Sequence, residues 1–185
     1  MNKLAQTVTI STMKTICFCF ILSWFYALCS QIIIPMPFNL VPLSVQPLPL
    51  FVATLLLGWP AVYAFGLYLL QGALGAPFFA FGLGGLGRLC GPTGGYLIGF
   101  LLAAIFLAWA KNYNKKSTLA LVNKLVAANI IVFTCGLVQL SLFVPAHNLL
   151  TLGFFPFLIG DFGIKLAVVV ALVKRLNIAH LTFLR

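Results

Sequence analysis

Between Lys14 and Arg88 the chain carries no charged side chain at all. That gap constrains the fold more than any motif does. Soluble domains are about 25% charged, whereas charged residues make up 6% of this chain and apolar ones 63%. A folded soluble domain of this size needs a more polar exterior than that. A membrane helix needs about 20 apolar residues to cross the hydrocarbon, so the apolar inventory covers about six crossings. Eleven Lys and Arg residues face a single acid, Asp161. A basic excess often signals nucleic acid, but here the positives lie thinly between apolar blocks, where they orient a chain in a bilayer. Soluble enzyme, nucleic-acid binder and disordered protein are excluded together.

The first block, about 15–34, follows Lys3 and Lys14. It is longer than the roughly 7–15 residues of a secretory signal core, and Leu28 directly before Cys29 spoils a lipoprotein-type cleavage site. It reads as a retained span. Pro35, Pro37, Pro42 and Pro47 then mark an extended loop, since proline resists continued helix. The block 48–71 fits one long helix or two short ones turning at Gly58-Trp59-Pro60. Charge decides between them. One helix leaves at best seven positives on one side against three. Two helices put Lys3, Lys14, Lys111, Lys115, Lys116, Lys124, Lys174, Arg175 and Arg185 on one side, with Arg88 alone opposite. The positive-inside rule prefers the second arrangement.

The expectation is thus an all-α integral membrane protein forming a single transmembrane domain over 1–185. Its six spans fall at about 15–34, 48–57, 60–72, 93–110, 121–143 and 157–173, with both termini cytoplasmic and outer loops at 35–47 and 74–92. The second loop holds Gly75, Gly82, Gly84, Gly85, Gly87 and Gly91. Backbone groups left unsatisfied against lipid are not tolerated, so it is expected to sit on protein or line a cavity.

Catalytic and metal chemistry find no support. Cys17, Cys19, Cys29, Cys90 and Cys135 show no metal-ligand spacing, and neither His147 nor His180 has a carboxylate nearby in sequence. Asp161 and Lys165 stand out instead. Ionisable groups at membrane depth cost about 2.5–3.5 kcal/mol each on insertion scales and are usually functional. Spaced i, i+4 with the acid first, they share a helix face and can pair. Such a pair either neutralises itself within the bundle or serves a ligand, and stability alone is a weak reason to keep it. At about 1.5 Å per residue the two sit one and two turns below the outer surface, which suits a pocket under the glycine-rich loop. An Asp accepts from N–H groups, while a Lys offers charge or donors to a carboxylate or carbonyl. The implied ligand is small, carries N–H donors and bears an acid group. No G-x-x-x-x-G-K-[ST] phosphate cradle is present, so ATP-driven uptake would require another subunit.

Three stretches carry a family resemblance: Gln31-Ile-Ile-Ile-Pro35 with Val41-Pro42-Leu43-Ser44-Val45-Gln46; Gly75-Ala-Pro77 through Gly84-Gly85-Leu86-Gly87 to Gly91-Pro92-Thr93-Gly94-Gly95-Tyr96-Leu97-Ile98-Gly99-Phe100; and Phe157-Leu-Ile-Gly160-Asp161 with Lys165. In this order they resemble BioY, the biotin-specific S component of energy-coupling factor (ECF) vitamin importers. The likeness spans roughly 20–175, and the Gly-Pro-Thr-Gly-Gly-Tyr motif is its most specific part. It implies a six-helix S-component fold in the cell membrane, with a biotin site near the outer face and lids from the loops after spans one and three. It also implies docking on a transmembrane T component and two ATP-binding-cassette ATPases, although some members are reported to work without them. No cofactor is expected, biotin being the transported ligand.

Carried over by residue, the resemblance assigns Asp161 to a ureido N–H and Lys165 to the ureido oxygen or the carboxylate. Gln46 and Tyr96 would supply further hydrogen bonds, and Trp59, Phe78 or Phe79 either walls the thiophane ring or serves ordinary packing or lipid contact. Two positions depart from the family pattern. Leu83 stands where some members carry Asn, and Arg88 where small or apolar residues are common. Arg88 either holds the carboxylate or faces the headgroups. A small-residue stripe at Cys19, Ser23 and Ala27 suits close helix contact, either with the T component or within the bundle. Two other classes compete with a binding subunit. An autonomous carrier would use Asp161 and Lys165 as a proton relay, but no second carboxylate could pass the proton on. An intramembrane enzyme would lack a histidine base within its spans.

Overall fold

The computed structural model describes residues 2–34, 43–110, 117–157 and 163–183. Helix α1 spans Asn2–Ser30. Its inward face is a run of i, i+4 and i, i+3 positions, Cys19, Ser23, Tyr26, Ala27 and Ser30, all buried. Ile21, Trp24 and Leu28 cover the other face and are more than half exposed. That is the pattern of a helix with protein on one side and an apolar medium on the other.

Past α1 the chain enters a short antiparallel hairpin of β1 (Ile33–Ile34) and β2 (Leu43–Ser44), with Ile33 opposite Ser44 and Ile34 opposite Leu43. The proline-rich tip, 35–42, lies outside the described residues. Pro47 opens α2 (Pro47–Leu57), a position where its missing N–H breaks no helical bond. The block from there to Gln71 is two helices. Gly58 adopts φ 79°, ψ −130°, a conformation open essentially to glycine, and α3 (Trp59–Ala73) restarts with Pro60 in its first turn.

The segment from α3 to α5 is ordered throughout. It contains a 3₁₀ turn (Ala80–Gly82) and a single turn, α4 (Leu86–Leu89). It folds back on α3 through Gly85 N–H, which donates to Gly72 O at 2.7 Å. Helix α5 (Gly94–Trp109) then pairs with α6 (Thr118–Leu140) in the most extensive helix contact of the bundle. The approach is close because Gly99 faces α6: a Cβ there would lie 2.8 Å from Val132 Cα. Ser117 caps α6, its Oγ accepting from Ala120 N–H. Two short helices follow, α7 (Ala146–Gly153) and α8 (Phe155–Phe157), and after 158–162, which lie outside the described residues, a π turn at 163–165 leads into α9 (Leu166–Phe183).

Among the described residues, Met13–Ser30 and Thr118–Leu140 are long and apolar enough to cross a bilayer; α2 and α5 are apolar but shorter. The core between α1, α3 and the glycine-rich loop is largely aromatic. Phe65 meets Tyr26 edge-on, Tyr68 stacks on Phe78 with centroids 6.2 Å apart, and Phe79 stands edge-on to Tyr68.

Candidate binding site

One cavity opens where the hairpin, the glycine-rich loop, α5, α6, α8 and the start of α9 converge. It takes in about 610 Å³ out to its mouth, the open space at the mouth included. Its walls are mainly aromatic: Phe79, Tyr96, Phe100, Phe133 and Phe157. Its polar groups are few: Ser44, Gln46, Arg88, Thr93 and Lys165, with the Tyr96 phenol.

Each side chain is delivered by local structure. Gln46 ends the turn after β2, where Val45 N–H donates to Ile32 O at 3.1 Å and Leu48 N–H to Val45 O at 3.0 Å. It is 3% exposed, and its amide lies beside the buried Tyr68 hydroxyl. Phe79 is seated over Gly72, where a Cβ would strike its ring. Tyr96 lies in the first turn of α5, its ring over Gly136, where a Cβ would collide with it. It is edge-on to Phe133 and tilted against Phe157.

Arg88, on α4, and Lys165, before α9, are both half-buried and line the cavity. Lys165 also borders a smaller void shared with Leu125, Asn129 and Val169. None of the described lining residues is acidic. Arg88 and Lys165 bring two cationic side chains to the apolar walls.

Of the expected site residues, Gln46, Arg88, Tyr96 and Lys165 line the same cavity. Asp161 lies outside the described residues. Tyr96 differs in one respect from the hydrogen-bonding role expected of it: its hydroxyl donates to Gly153 O at 2.8 Å. With that proton committed, its main offering to a ligand is a ring face. Among the aromatics named as possible walls, Phe79 lines the cavity. Phe78 is packed behind it between Trp24 and Tyr68, and Trp59 is 45% exposed and stacked on Tyr63. Leu83 is 44% exposed and does not line the cavity; its backbone carbonyl accepts from Phe79 N–H at 2.8 Å.

Of the two roles open to the small-residue stripe, the geometry favours packing within the bundle: Ser23 is 0% exposed, Ala27 and Cys19 are buried, and the stripe packs against α3, with Cys19 Sγ 3.5 Å from Pro60 O. Sequence reasoning missed Phe133, which nothing in sequence distinguishes from the many other phenylalanines of this chain, and gave Phe157 no role although it opens the stretch that holds Asp161. Among the described residues no group of three or more His, Cys, Asp or Glu could hold a metal ion.

The profile of the BioY family matches residues 1–181. The chain is 34% identical over 146 residues to the biotin transporter BioY of Thermotoga maritima, covering 78% of this chain and 85% of that one. It is 34% identical over 124 residues to the biotin transporter BioY2 of Lactococcus lactis, covering 65% and 68%. Among solved structures, the S-component for biotin from an ECF-type ABC transporter superposes with a TM-score of 0.75 and 27% identity, covering 90% of this chain and 92% of that one. With the family profile spanning nearly every residue and the fold shared end to end, the chain belongs to the BioY family.

Proposed function

We propose that this chain is the substrate-binding membrane subunit of a biotin importer, a transport protein and not an enzyme. It captures biotin at the outer face and delivers it inward with an energising module. The observation that carries this reading is the meeting of Gln46, Arg88 and Lys165 around one aromatic-walled cavity. Biotin has a ureido ring with two N–H donors and a carbonyl, an apolar sulfur ring, and a tail ending in a carboxylate. The aromatic wall suits the sulfur ring. The buried Gln46 amide suits the ureido oxygen, and Asp161 accepts a ureido N–H. Lys165 and Arg88 supply the cations, and the carboxylate needs one of them. The residue whose loss abolishes the preference for biotin over its uncharged amide is the one that holds the carboxylate.

The chain is a membrane protein, and its placement in the cytoplasmic membrane belongs to the same proposal. Six spans with cytoplasmic termini are favoured by the segregation of nine positives from Arg88, and by the apolar outer faces of α1, α5 and α6, where Ile21, Trp109 and Val138 are each more than half exposed. The likeness to an S-component of an ECF-type ABC transporter supports a T component and two ATP-binding-cassette ATPases as the energising partners, and the chain has no phosphate cradle of its own. Uptake of labelled biotin by vesicles tests this directly. Accumulation is expected when the energising subunits and ATP are supplied. Accumulation by the chain alone, driven by a proton gradient, would instead make it an autonomous carrier.

A further inference from the structure

The glycine-rich loop is fastened near both ends by glutamine amides that take no part in lining the cavity. Gln31 follows the last turn of α1. Its Oε1 accepts from Gly82 N–H at 2.8 Å, and its Nε2 donates to Phe79 O at 3.0 Å, with Phe78 O at 3.2 Å and Ala27 O at 3.3 Å sharing its hydrogens. Ser30 Oγ donates to Phe78 O beside it. At the other end, Gln139 on α6 spends both Nε2 hydrogens on the loop, reaching Leu89 O at 2.8 Å and Gly91 O at 2.7 Å. Between these two anchors lie Phe79, Ala80 and Arg88, the loop's contribution to the cavity wall.

Loop geometry at the first anchor makes it more than incidental packing. Phe81 has φ 66°, the one non-glycine residue at positive φ among the described residues. A bulky side chain takes that conformation only where its surroundings hold it. The Gln31 amide grips the residue immediately after it and the carbonyl two residues before it. A cavity wall held this way before ligand arrives loses less freedom on binding, and preorganisation of that kind lowers Kd without adding a ligand contact.

We propose that Gln31 and Gln139 are positioning residues for the ligand, clamping the glycine-rich loop so that Phe79 and Arg88 are preset. The inference rests on the biotin reading above. Its test uses the full chain purified in detergent, with Gln31→Leu and Gln139→Leu, which keep side-chain bulk but lose the amide. Each is expected to raise the Kd for biotin about tenfold or more, chiefly through faster dissociation, with a smaller effect on the unfolding temperature of the ligand-free protein. A loss of affinity only in proportion to a general loss of stability would mean a merely structural role and overturn the proposal. Hydrogen exchange on the unaltered chain gives a second measurement that needs no variant. The Phe79, Gly82 and Gly85 amides should be protected without biotin and change little when it is added; free exchange that stops only on binding would overturn the clamp. If the unaltered chain binds biotin and both variants bind it unchanged, the clamp is wrong and the biotin reading stands. If the unaltered chain itself binds none, both fall.

Discussion

At the scale of single residues, the site combines groups that the sequence singles out with others that it hides. Lys165 and Asp161 are conspicuous because charge is rare here, and Gln46 and Tyr96 because they sit in motifs. Phe133 is not conspicuous, since an inward phenylalanine in an apolar helix looks like an outward one. Asp161→Ala or Lys165→Ala should each weaken biotin binding by about 1–3 kcal/mol or more, roughly 10- to 100-fold in Kd, because each leaves a polar group of the ligand without its counterpart. Binding that survives both changes would make the pair structural. Tyr96 separates ring from hydroxyl. Tyr96→Phe keeps the wall and should cost about 1 kcal/mol of stability through the unpaired Gly153 carbonyl, visible as a lower unfolding temperature. Tyr96→Ala removes the ring and should lose far more affinity than the Phe variant in the same assay.

At the scale of elements, glycine and proline made the breaks legible. Gly58-Trp59-Pro60 marks the division of α2 from α3, and the structure turns there with Gly58 at φ 79°. Gly58→Ala should destabilise the folded protein by about 1–2 kcal/mol, since an L side chain is penalised at positive φ; thermal unfolding in detergent measures it. Side-chain partners were less legible. A stripe such as Cys19, Ser23 and Ala27 suits any close helix neighbour, and only the fold shows that the neighbour is α3. The glycine-rich loop was expected to rest on protein. Its anchors, Gln31 and Gln139, lie far from it in sequence, about 50 residues from the carbonyls they hold, beyond the reach of local pattern.

At the scale of the whole molecule, charge placement carries the orientation. Nine of the eleven positives fall on one side of the proposed topology, Arg88 lies opposite, and Lys165 lies inside the last span. Cys90, exposed next to Arg88 on the glycine-rich loop, gives a handle on that arrangement. A membrane-impermeant thiol reagent should label it in intact cells from outside, whereas labelling only after the membrane is opened would invert the topology. The S-component likeness fits a cavity with no catalytic constellation among the described residues: on the proposed reading its chemistry is recognition, and a partner supplies the energy. Equilibrium binding of labelled biotin to the purified, folded chain tests that claim most directly. The account predicts about one biotin per chain with a Kd well below about 1 μM, whereas folded protein that retains no biotin would contradict it.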